Sequence, residues 1–380
     1  MRILYVLESS MCWKSGIWYH RVNIPFKGLE GRGHGTKQIV IGTSMPDEFM
    51  EYPSTVIFGR IYPEAAHPID LMKAYKKQGT RVLYDLDDDI WAVDPSNPSR
   101  HVGNVFKDQY EGMIREADAV ITPSKFIAKK IQKLVKGKKV FICPNSIDFN
   151  DYKERPHEHD QLIIGYMGAA SHWKDLTIIV DVLEKLYEKY DFTFVLQGVT
   201  GGDFESEMLS CQKILSQNLQ PEQNDYFKEA LAFYDKLKKI KMYHLPFFLP
   251  EINPMKLSMA DFDIGIAPLE DTEFNHGKSC LKFYEYAAVG TPCLASNVEP
   301  YKSECTYLAN NTFKDWYNKL ERLIVDKDFR EKLAKDQQNW VKENRSLERV
   351  AIDWEVACQK EGGLKVLNQN KGWLDKIRRK

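Results

Sequence analysis

Short apolar runs alternate with helical patterns along most of the chain. Runs of this kind are typical of parallel strands that are buried on both faces. The strands predicted in the first part cover 1–7, 38–42, 54–59, 82–84, 119–122 and 140–143. Those predicted in the second part cover 162–167, 192–196, 243–248, 263–269 and 291–295. Each part opens with a strand, a polar loop and a helix, so the pattern predicts two similar α/β domains.

The helical patterns have recognisable ends. Ser124, Ser279, Thr312 and Ser346 stand where a side-chain oxygen can cap a first turn, and Gly290 stands where a helix stops. The predicted helices cover 17–31 with a disturbance at residue 25, 110–117, 125–135, 175–190, 207–215, 225–239, 253–259, 279–289 and segments that begin near 312 and 346.

The domain boundaries follow from composition. The charged segment 151–160 predicts a linker, which ends a first domain at about residue 150. The segment 200–241 carries a lysine run near its end, at 236–241, and this run is typical of a solvated helix face. The basic tail 361–380 is predicted to be frayed at its end rather than bound to a membrane.

Residues 263–296 form a strand, a polar loop at 270–278, a helix and a second strand. The helix N-terminus follows the carboxyl end of a strand, and free N–H groups with the helix dipole make that end an anion site. Lys278 and Lys282 are four residues apart and share one helix face, and Glu285 lies near that face. Two cations and one acid favour a phosphorylated ligand that also offers hydroxyl groups. The alternative is a solvated face with an internal Lys–Glu pair.

Four acids crowd the carboxyl end of the strand 82–84, namely Asp85, Asp87, Asp88 and Asp89. In open α/β sheets this end faces the ligand crevice. The acids repel one another, so some pKa values should rise unless a cation is near. A catalytic or substrate-orienting carboxylate, a metal site, and turn or cap formation before Ile90 all remain open.

The two domain openings provide further candidate binding residues. Gly16 ends the first polar loop, and Gly168, His172 and Lys174 lie in the second, where phosphate would meet the helix start. His172 as a simple cap or surface residue is the alternative. The G-x-G-x-x-G fingerprint is absent from the first loop, which argues against a nicotinamide dehydrogenase.

Composition narrows the class of protein. The chain has 380 residues, 43% hydrophobic and 28% charged, with a net charge of −1, so no global field draws it to nucleic acid or anionic lipid. The seven Cys are an odd number without C-x-x-C spacing, and no signal peptide is evident, which predicts reduced thiols and a cytoplasmic setting. No apolar run reaches the roughly 18 residues of a transmembrane helix.

Several segments resemble one enzyme family. They are AVITPSKFIAKKI (119–131), VFICPNSID (140–148), IIGYMGAASHWKD (163–175) and IGIAPL followed by GKSCLKFYEYAAVGTPCLAS (264–296). Together they resemble retaining glycosyltransferases of the GT-B fold, in the group often called family 4. YDLDDDIW (84–91) with PSNP (95–98) resembles a subset from bacteria and phages.

The resemblance implies two Rossmann-like, doubly wound domains that face each other across a cleft. The acceptor would bind domain 1–150, the nucleotide-sugar donor would bind domain 151–345, and a helix at about 346–360 would cross back to the first domain.

The resemblance also implies roles for individual residues. Glu285 matches the second acid of the family's E-x7-E motif, which binds the nucleotide ribose. Gly277 stands at the position of the first acid, which leaves Glu270, Asp271, Asn275 or His276 to hold the sugar. Ser279 would lie at the donor as part of the same loop, and Asp87 or Asp88 would replace the family's catalytic-site His.

The implied reaction is front-face transfer of a sugar to an acceptor hydroxyl with retention of configuration. Lysines and a helix N-terminus would stabilise the leaving diphosphate, whose oxygen would accept the acceptor's proton. No cofactor or metal is then required besides the nucleotide-diphosphate sugar as co-substrate. The acceptor is a glycan, a small molecule or a hydroxymethylated DNA base as in phage enzymes. A sugar-nucleotide-binding protein without transfer activity is the other alternative, and the oligomeric state is left open.

Overall fold

The computed structural model of the protein contains two parallel six-stranded sheets with helices on their faces. The described residues are 1–7, 15–41, 53–59, 67–93, 100–153, 159–168, 172–199, 206, 209, 213, 221–246, 249 and 251–359, with only the backbone described at 100–106, 221–224 and 255. The tail 361–380 and the motif 95–98 lie outside these residues. The linker 151–160, the helix 207–215 and the strand 243–248 lie partly outside them.

The first sheet has the strand order β2-β1-β3-β4-β5-β6. All five neighbouring pairs are parallel, so the carboxyl ends of the strands share one edge. Ile3, Leu4 and Val6 are fully buried, as the continuous apolar run at the start of the chain predicts. The strands are β1 (Arg2–Leu7), β2 (Gly35–Val40), β3 (Thr55–Phe58), β4 (Arg81–Asp85), β5 (Ala119–Thr122) and β6 (Val140–Ile142).

The second sheet has the strand order β12-β11-β10-β7-β8-β9 and is also parallel throughout. Its first strand lies in the middle, so the chain builds outward in both directions, as in doubly wound folds. The strands are β7 (Leu162–Met167), β8 (Phe192–Val199), β9 (Met242–Pro246), β10 (Ile264–Ala267), β11 (Cys293–Ser296) and β12 (Leu308–Ala309).

Helices cover the faces of both sheets because parallel strands need crossover connections. Ser124, Thr312 and Ser346 cap their helices as predicted, since each side-chain oxygen accepts a backbone N–H of the first turn. The described helices are Gly16–Trp18, Ile24–Gly31, Pro68–Lys77, Arg100–Glu116, Lys125–Leu134, Trp173–Thr177, Val180–Tyr187, Pro221–Leu237, Asn253–Ala260, Glu273–His276, Leu281–Ala288, Tyr301–Glu304, Phe313–Val325, Lys327–Arg345 and Leu347–Cys358.

The final helix, Leu347–Cys358, packs on the first sheet's side of the molecule, against the helix Ile24–Gly31. A Cβ on Gly28 would lie 2.7 Å from Ala351 Cβ, so a glycine there permits the close approach of the two helices. The chain crosses between the halves twice at one place. The N–H of Ile147 donates to Arg345 O (2.8 Å), and the N–H of Leu347 donates to Ile147 O (2.8 Å).

The helix expected at 17–31 is present, and its disturbance is a π-helical stretch, Tyr19–Asn23, just before Pro25. Three local predictions were wrong. The helix expected at 175–190 is broken into two, and the loop expected at 270–278 contains one helical turn. Ser279 is not a cap: the helix begins at Leu281 without a side-chain cap.

Candidate active site

A cavity of about 410 Å³ lies between the two halves, at the carboxyl ends of both sheets. This volume is within the usual range for a small-molecule site, and its position is the crevice in which open α/β sheets bind ligands. The sequence-predicted residues that line it are Gly16, Asp87, Asp88, Gly168, His172, Lys278, Ser279, Lys282 and Glu285.

Two partly buried lysines, Lys278 and Lys282, contribute positive charge to the cavity. Burial lowers the pKa of Lys282 to about 8, the Asp175 carboxylate opposes this, and Lys278 adds to it. Burial also lowers the pKa of Lys278, against the charges of Asp88 and Asp175. Because each ammonium group is short of compensating charge, an anion such as a diphosphate would favour its protonated form.

His172 lies beside these lysines and is held by an acid. The charge of Lys278, together with burial, lowers the pKa of His172 to about 4, so the imidazole is neutral at pH 7. Its Nδ1 lies 3.2 Å from Asp175 Oδ2. Asp175 Oδ1 accepts the N–H of Glu270 at 2.9 Å, which ties the His172 loop to the loop after β10. His172 therefore adds a hydrogen-bonding group rather than a cation.

Glu285 faces the cavity from the helix Leu281–Ala288 and is 6% exposed. Burial raises the pKa of Glu285 to about 7, although Tyr152, Lys282 and Asn253 lower it. Tyr152 donates its hydroxyl to Oε1 at 3.2 Å, and Asn253 donates Nδ2 to the same oxygen at 3.4 Å. Within the described residues, Oε2 receives no hydrogen bond and remains for a ligand.

The four acids at the carboxyl end of β4 form two pairs, one buried in ion pairs and one lining the cavity. Asp85 is buried and accepts two hydrogen bonds from the Arg21 guanidinium, with Nη2 at 2.6 Å from Oδ1. Asp89 is buried against Lys130, which also contacts Glu273 of the second half at 2.7 Å. Burial, rather than the repulsion among the four acids that the sequence suggests, raises the pKa of Asp89, and Lys130 opposes it. Asp87 and Asp88 are half-buried and line the cavity.

Four residues expected at the donor do not line this cavity. Lys174 lies over the rings of Trp173 and Tyr226 instead. Asn275 is buried and donates to Glu270 O at 3.0 Å, so it stabilises its own loop. His276 lies 2.6 Å from an Asp271 oxygen and packs edge-on against Phe126 of the first half.

Gly277, the fourth of these residues, packs against the first half. A Cβ there would lie 3.0 Å from Asp89 Cβ and 3.4 Å from Ile127 Cγ1. The position at which the resemblance places a first acid is therefore closed by the neighbouring half, and a larger side chain would push the halves apart.

Among the lining residues that sequence reasoning missed are His20, Arg21 and Asn145. His20 lies in the π-helical stretch, and its buried Nδ1 has no hydrogen-bond partner among the described residues. Burial, together with Arg21, lowers the pKa of His20 to about 4. Asn145 accepts from Arg21 Nη1 at 3.0 Å and donates to Ser279 Oγ at 3.0 Å. The disturbance before Pro25 was the available signal, because π-helical turns often occur at functional sites.

The described residues contain no group of three or more His, Cys, Asp or Glu side chains placed to hold a metal ion. In the same residues, no helix combines the length and the apolar character needed to cross a bilayer.

Comparison with known proteins gives one curated relative. It is a protein of Bacillus subtilis strain 168 with a provisional name, teichuronic acid biosynthesis glycosyltransferase TuaH, 22% identical over 236 residues. The match covers 57% of this chain and 51% of TuaH, so it spans about half the length of the relative. No family model matches the chain.

Solved structures match over nearly the whole chain. Sucrose-phosphate synthase from Thermosynechococcus elongatus superposes with a TM-score of 0.64 at 12% identity, covering 94% of this chain and 98% of that one. An alpha-glucosyltransferase in complex with UDP and a 13-mer DNA containing an HMU base gives a TM-score of 0.63 at 14% identity, covering 95% and 100%. At such identities the likeness concerns the fold: two parallel α/β sheets arranged as in GT-B glycosyltransferases.

Proposed function

We propose that this protein transfers a sugar from a nucleoside-diphosphate sugar to an acceptor hydroxyl with retention of configuration. One observation carries the proposal. Lys278 and Lys282 stand at the start of the helix Leu281–Ala288, and Glu285 of the same helix faces the same cavity between two GT-B-type halves. The provisional name of TuaH agrees with this activity.

In this proposal, residues 151–345 hold the donor and residues 1–150 hold the acceptor, with 346–360 returning to the first half. The diphosphate lies between the two lysines and the helix N-terminus. The ribose hydroxyls donate to Glu285 Oε2, the oxygen that the described residues leave without a hydrogen bond.

The chemistry requires stabilisation of a leaving group that gains negative charge. Lysines placed in a partly desolvated cavity supply that stabilisation where the charge develops. Asp87 and Asp88, which enter the cavity from the first half, orient the acceptor hydroxyl or offset positive charge on the sugar ring. A diphosphate oxygen accepts the hydroxyl proton as the sugar–phosphate bond breaks. The reaction proceeds without a divalent metal because the lysines neutralise the diphosphate.

The test is a donor screen followed by product analysis. Thermal unfolding is measured with UDP, GDP, ADP and their sugars, because a ligand that binds the folded state raises the unfolding temperature. The stabilising sugar nucleotide is then incubated with candidate acceptors, and the anomeric configuration of the product is read by NMR. Binding without transfer to any acceptor would favour a sugar-nucleotide-binding protein, and an inverted anomer would contradict retention.

A modified DNA base is the second candidate acceptor. The helix Lys125–Leu134 and the loop after it carry exposed lysines without an ion pair to any described residue: Lys125, Lys129, Lys133 and Lys136. No acid occurs in 125–139, and this surface belongs to the proposed acceptor half. By contrast, Lys236, Lys238 and Lys239 of the other basic run contact acids on their own half.

Salt dependence tests this candidate. Binding to a DNA duplex with hydroxymethylated bases should weaken steeply as salt rises, because neutralised phosphates release counterions. Transfer to such DNA would establish the class of acceptor. Absence of both binding and transfer on modified DNA would leave a glycan or small-molecule acceptor.

The cysteines support a reducing, cytoplasmic setting for the reaction. The five described cysteines are free and buried, namely Cys143, Cys280, Cys293, Cys305 and Cys358. Thiols persist where glutathione and thioredoxin keep them reduced. Labelling of thiols after rapid acid quenching of intact cells would test this setting, since disulfides would block the label.

A further inference from the structure

We infer that Tyr152, on the segment that joins the two sheets, is a positioning residue that holds the Glu285 carboxylate in the orientation that binds a nucleotide ribose. The inference rests on the proposed function and concerns how the ribose is recognised. Tyr152 itself does not line the cavity, so it acts through Glu285. It lies in the polar stretch that the sequence marks only as a linker.

The hydrogen bonds that Glu285 receives restrain its carboxylate. Both hydrogen bonds that Glu285 receives from described residues end on Oε1, from Tyr152 at 3.2 Å and from Asn253 at 3.4 Å. Two donors on one oxygen restrain the rotation of the carboxylate, and Oε2 receives no hydrogen bond from a described residue. Tyr152 is 6% exposed, so its hydroxyl has no competing bulk water.

The segment that carries Tyr152 is anchored on both sides of it. The residue before it, Asp151, accepts from the Tyr19 hydroxyl at 2.8 Å and from Lys27 Nζ at 3.1 Å, and both partners belong to the first half. Lys153, the residue after it, donates its N–H to Ser258 Oγ at 3.2 Å. Tyr152 therefore stands on a segment that is held on both sides.

The protonation of Glu285 also depends on Tyr152. Groups from four elements face Glu285. They are Tyr152 on the joining segment, Asn253 on the helix Asn253–Ala260, Lys282 and Tyr286 on the helix of Glu285 itself, and Tyr19 on the first half. Burial is the largest influence and raises the pKa of Glu285, while the Tyr152 hydrogen bond is the largest that lowers it. Removing the hydroxyl should therefore favour the protonated carboxyl, which accepts ribose hydroxyls less well.

The experiment measures the dissociation constant of UDP by calorimetry for wild type and Tyr152→Phe from pH 6 to pH 9. Lys282 and UDP titrate in the same way in both sets of measurements, so their effects cancel in the ratio of the two dissociation constants. If the lost bond raises the pKa of Glu285 by about one pH unit, the loss of affinity relative to wild type is about fivefold greater at pH 7 than at pH 9, where both carboxylates are ionised and only the lost orientation acts. A purely structural defect would lower affinity equally at every pH.

Two further variants complete the test. In a Glu285→Gln background, Tyr152→Phe should change UDP affinity by less than about twofold. Gln has no carboxylate to protonate, and Tyr152 acts through that carboxylate, so the effects of the two substitutions are not additive. Tyr190→Phe is the matched control, since its hydroxyl donates to Glu321 at 2.8 Å on a surface outside the cavity. Its UDP affinity should equal that of wild type at all pH values.

The outcomes distinguish failure of the positioning role of Tyr152 from failure of the proposed function. A loss that does not depend on pH, or that persists in the Glu285→Gln background, would overturn the role of Tyr152. If UDP, GDP and ADP all fail to bind the wild type, the proposed function itself fails. Wild-type binding that is weakened by Glu285→Gln but not by Tyr152→Phe would reject only the positioning role.

Discussion

Asn145 and Ser279 join the two halves of the molecule at the edge of the cavity, with Asn145 Nδ2 3.0 Å from Ser279 Oγ. The other end of the same amide, Oδ1, accepts from the buried Arg21. One side chain thus satisfies a buried cation in the first half and holds the loop that leads to the lysines in the second.

This arrangement predicts that substitutions of Asn145 and Ser279 lower the free energy of unfolding by different amounts. Asn145→Leu should lower the free energy of unfolding by about 1–3 kcal/mol, because Arg21 Nη1 loses a buried acceptor. Ser279→Ala should cost less, about 0.5–1.5 kcal/mol, since Asn145 faces a cavity that water can enter. Urea unfolding of both variants measures the order, and a larger loss for Ser279→Ala would contradict it.

Lys282→Ala should weaken binding of a nucleoside diphosphate by about 1.5–3 kcal/mol, the loss of a hydrogen bond to a charged group. Lys174→Ala is the matched control, because the sequence predicts both lysines as donor-binding residues. In the structure, Lys174 lies over Trp173 and Tyr226, outside the cavity. Calorimetry with UDP should show no change for this control. Equal losses in both variants would remove Lys282 from the donor site.

The pH dependence of UDP binding should have a narrow optimum between about 7 and 8. Glu285, whose pKa is raised to about 7, must lose its proton to accept ribose hydroxyls, so affinity rises through that pH. Lys282, whose pKa is lowered to about 8, must keep its proton, so affinity falls above that pH.

Two substitutions identify which residue causes the rise and which causes the fall of UDP affinity with pH. Lys282→Arg should flatten the high-pH limb, because guanidinium stays charged. Glu285→Gln should reduce the low-pH limb to the titration of the ligand. A profile that neither substitution alters would reject both assignments.

Asp87→Asn and Asp88→Asn should lower kcat while leaving UDP affinity unchanged, because these carboxylates enter from the acceptor half. Asn forms turns and caps about as well as Asp, so stability should hold. Turnover is measured with the sugar nucleotide and acceptor that the screen identifies. Near-wild-type turnover in both variants would leave the pair without a role in transfer.

Lys130→Met should destabilise the protein by about 3–5 kcal/mol, because it leaves the buried Asp89 carboxylate without its cation. Burial already raises the pKa of Asp89, so the destabilisation should grow as pH rises above the ordinary Asp value and the group must ionise. Adding Asp89→Asn should restore much of the loss. Thermal unfolding of the single and double variants measures this coupling, and additive losses would deny it.

Much of the fold could be predicted because parallel strands are short, apolar and interrupted by turn residues. Arg2–Leu7 and Leu162–Met167 follow this pattern nearly to the residue. Ser279 was misplaced as a cap because hydroxyl residues look alike in sequence whether they bond to their own helix or, as here, to Asn145 across the cavity.

The candidate site could be predicted where polar residues lie near the carboxyl end of a strand or near the start of the helix that follows it. Lys278 precedes the helix that begins at Leu281, Lys282 and Glu285 lie on that helix, and the structure brings all three to the cavity. Tyr152 and His20 could not be found in this way, since one lies in a polar linker and the other in an irregular helical turn. Their relation to the site depends on contacts between residues 133 apart, as for Tyr152 and Glu285.

The double crossing at Ile147 and Arg345–Leu347 has a consequence for recombining this protein with others of its fold. Because the final helix packs on the first sheet's side, an exchange of acceptor halves cannot be made at one junction. A working chimera needs two junctions, one near residue 147 and one near residue 346. The donor half is the segment between these junctions and must be inserted there as one unit. A single splice would instead pair a foreign sheet with the native helix, whose Ala351 fits only where the partner offers a glycine such as Gly28.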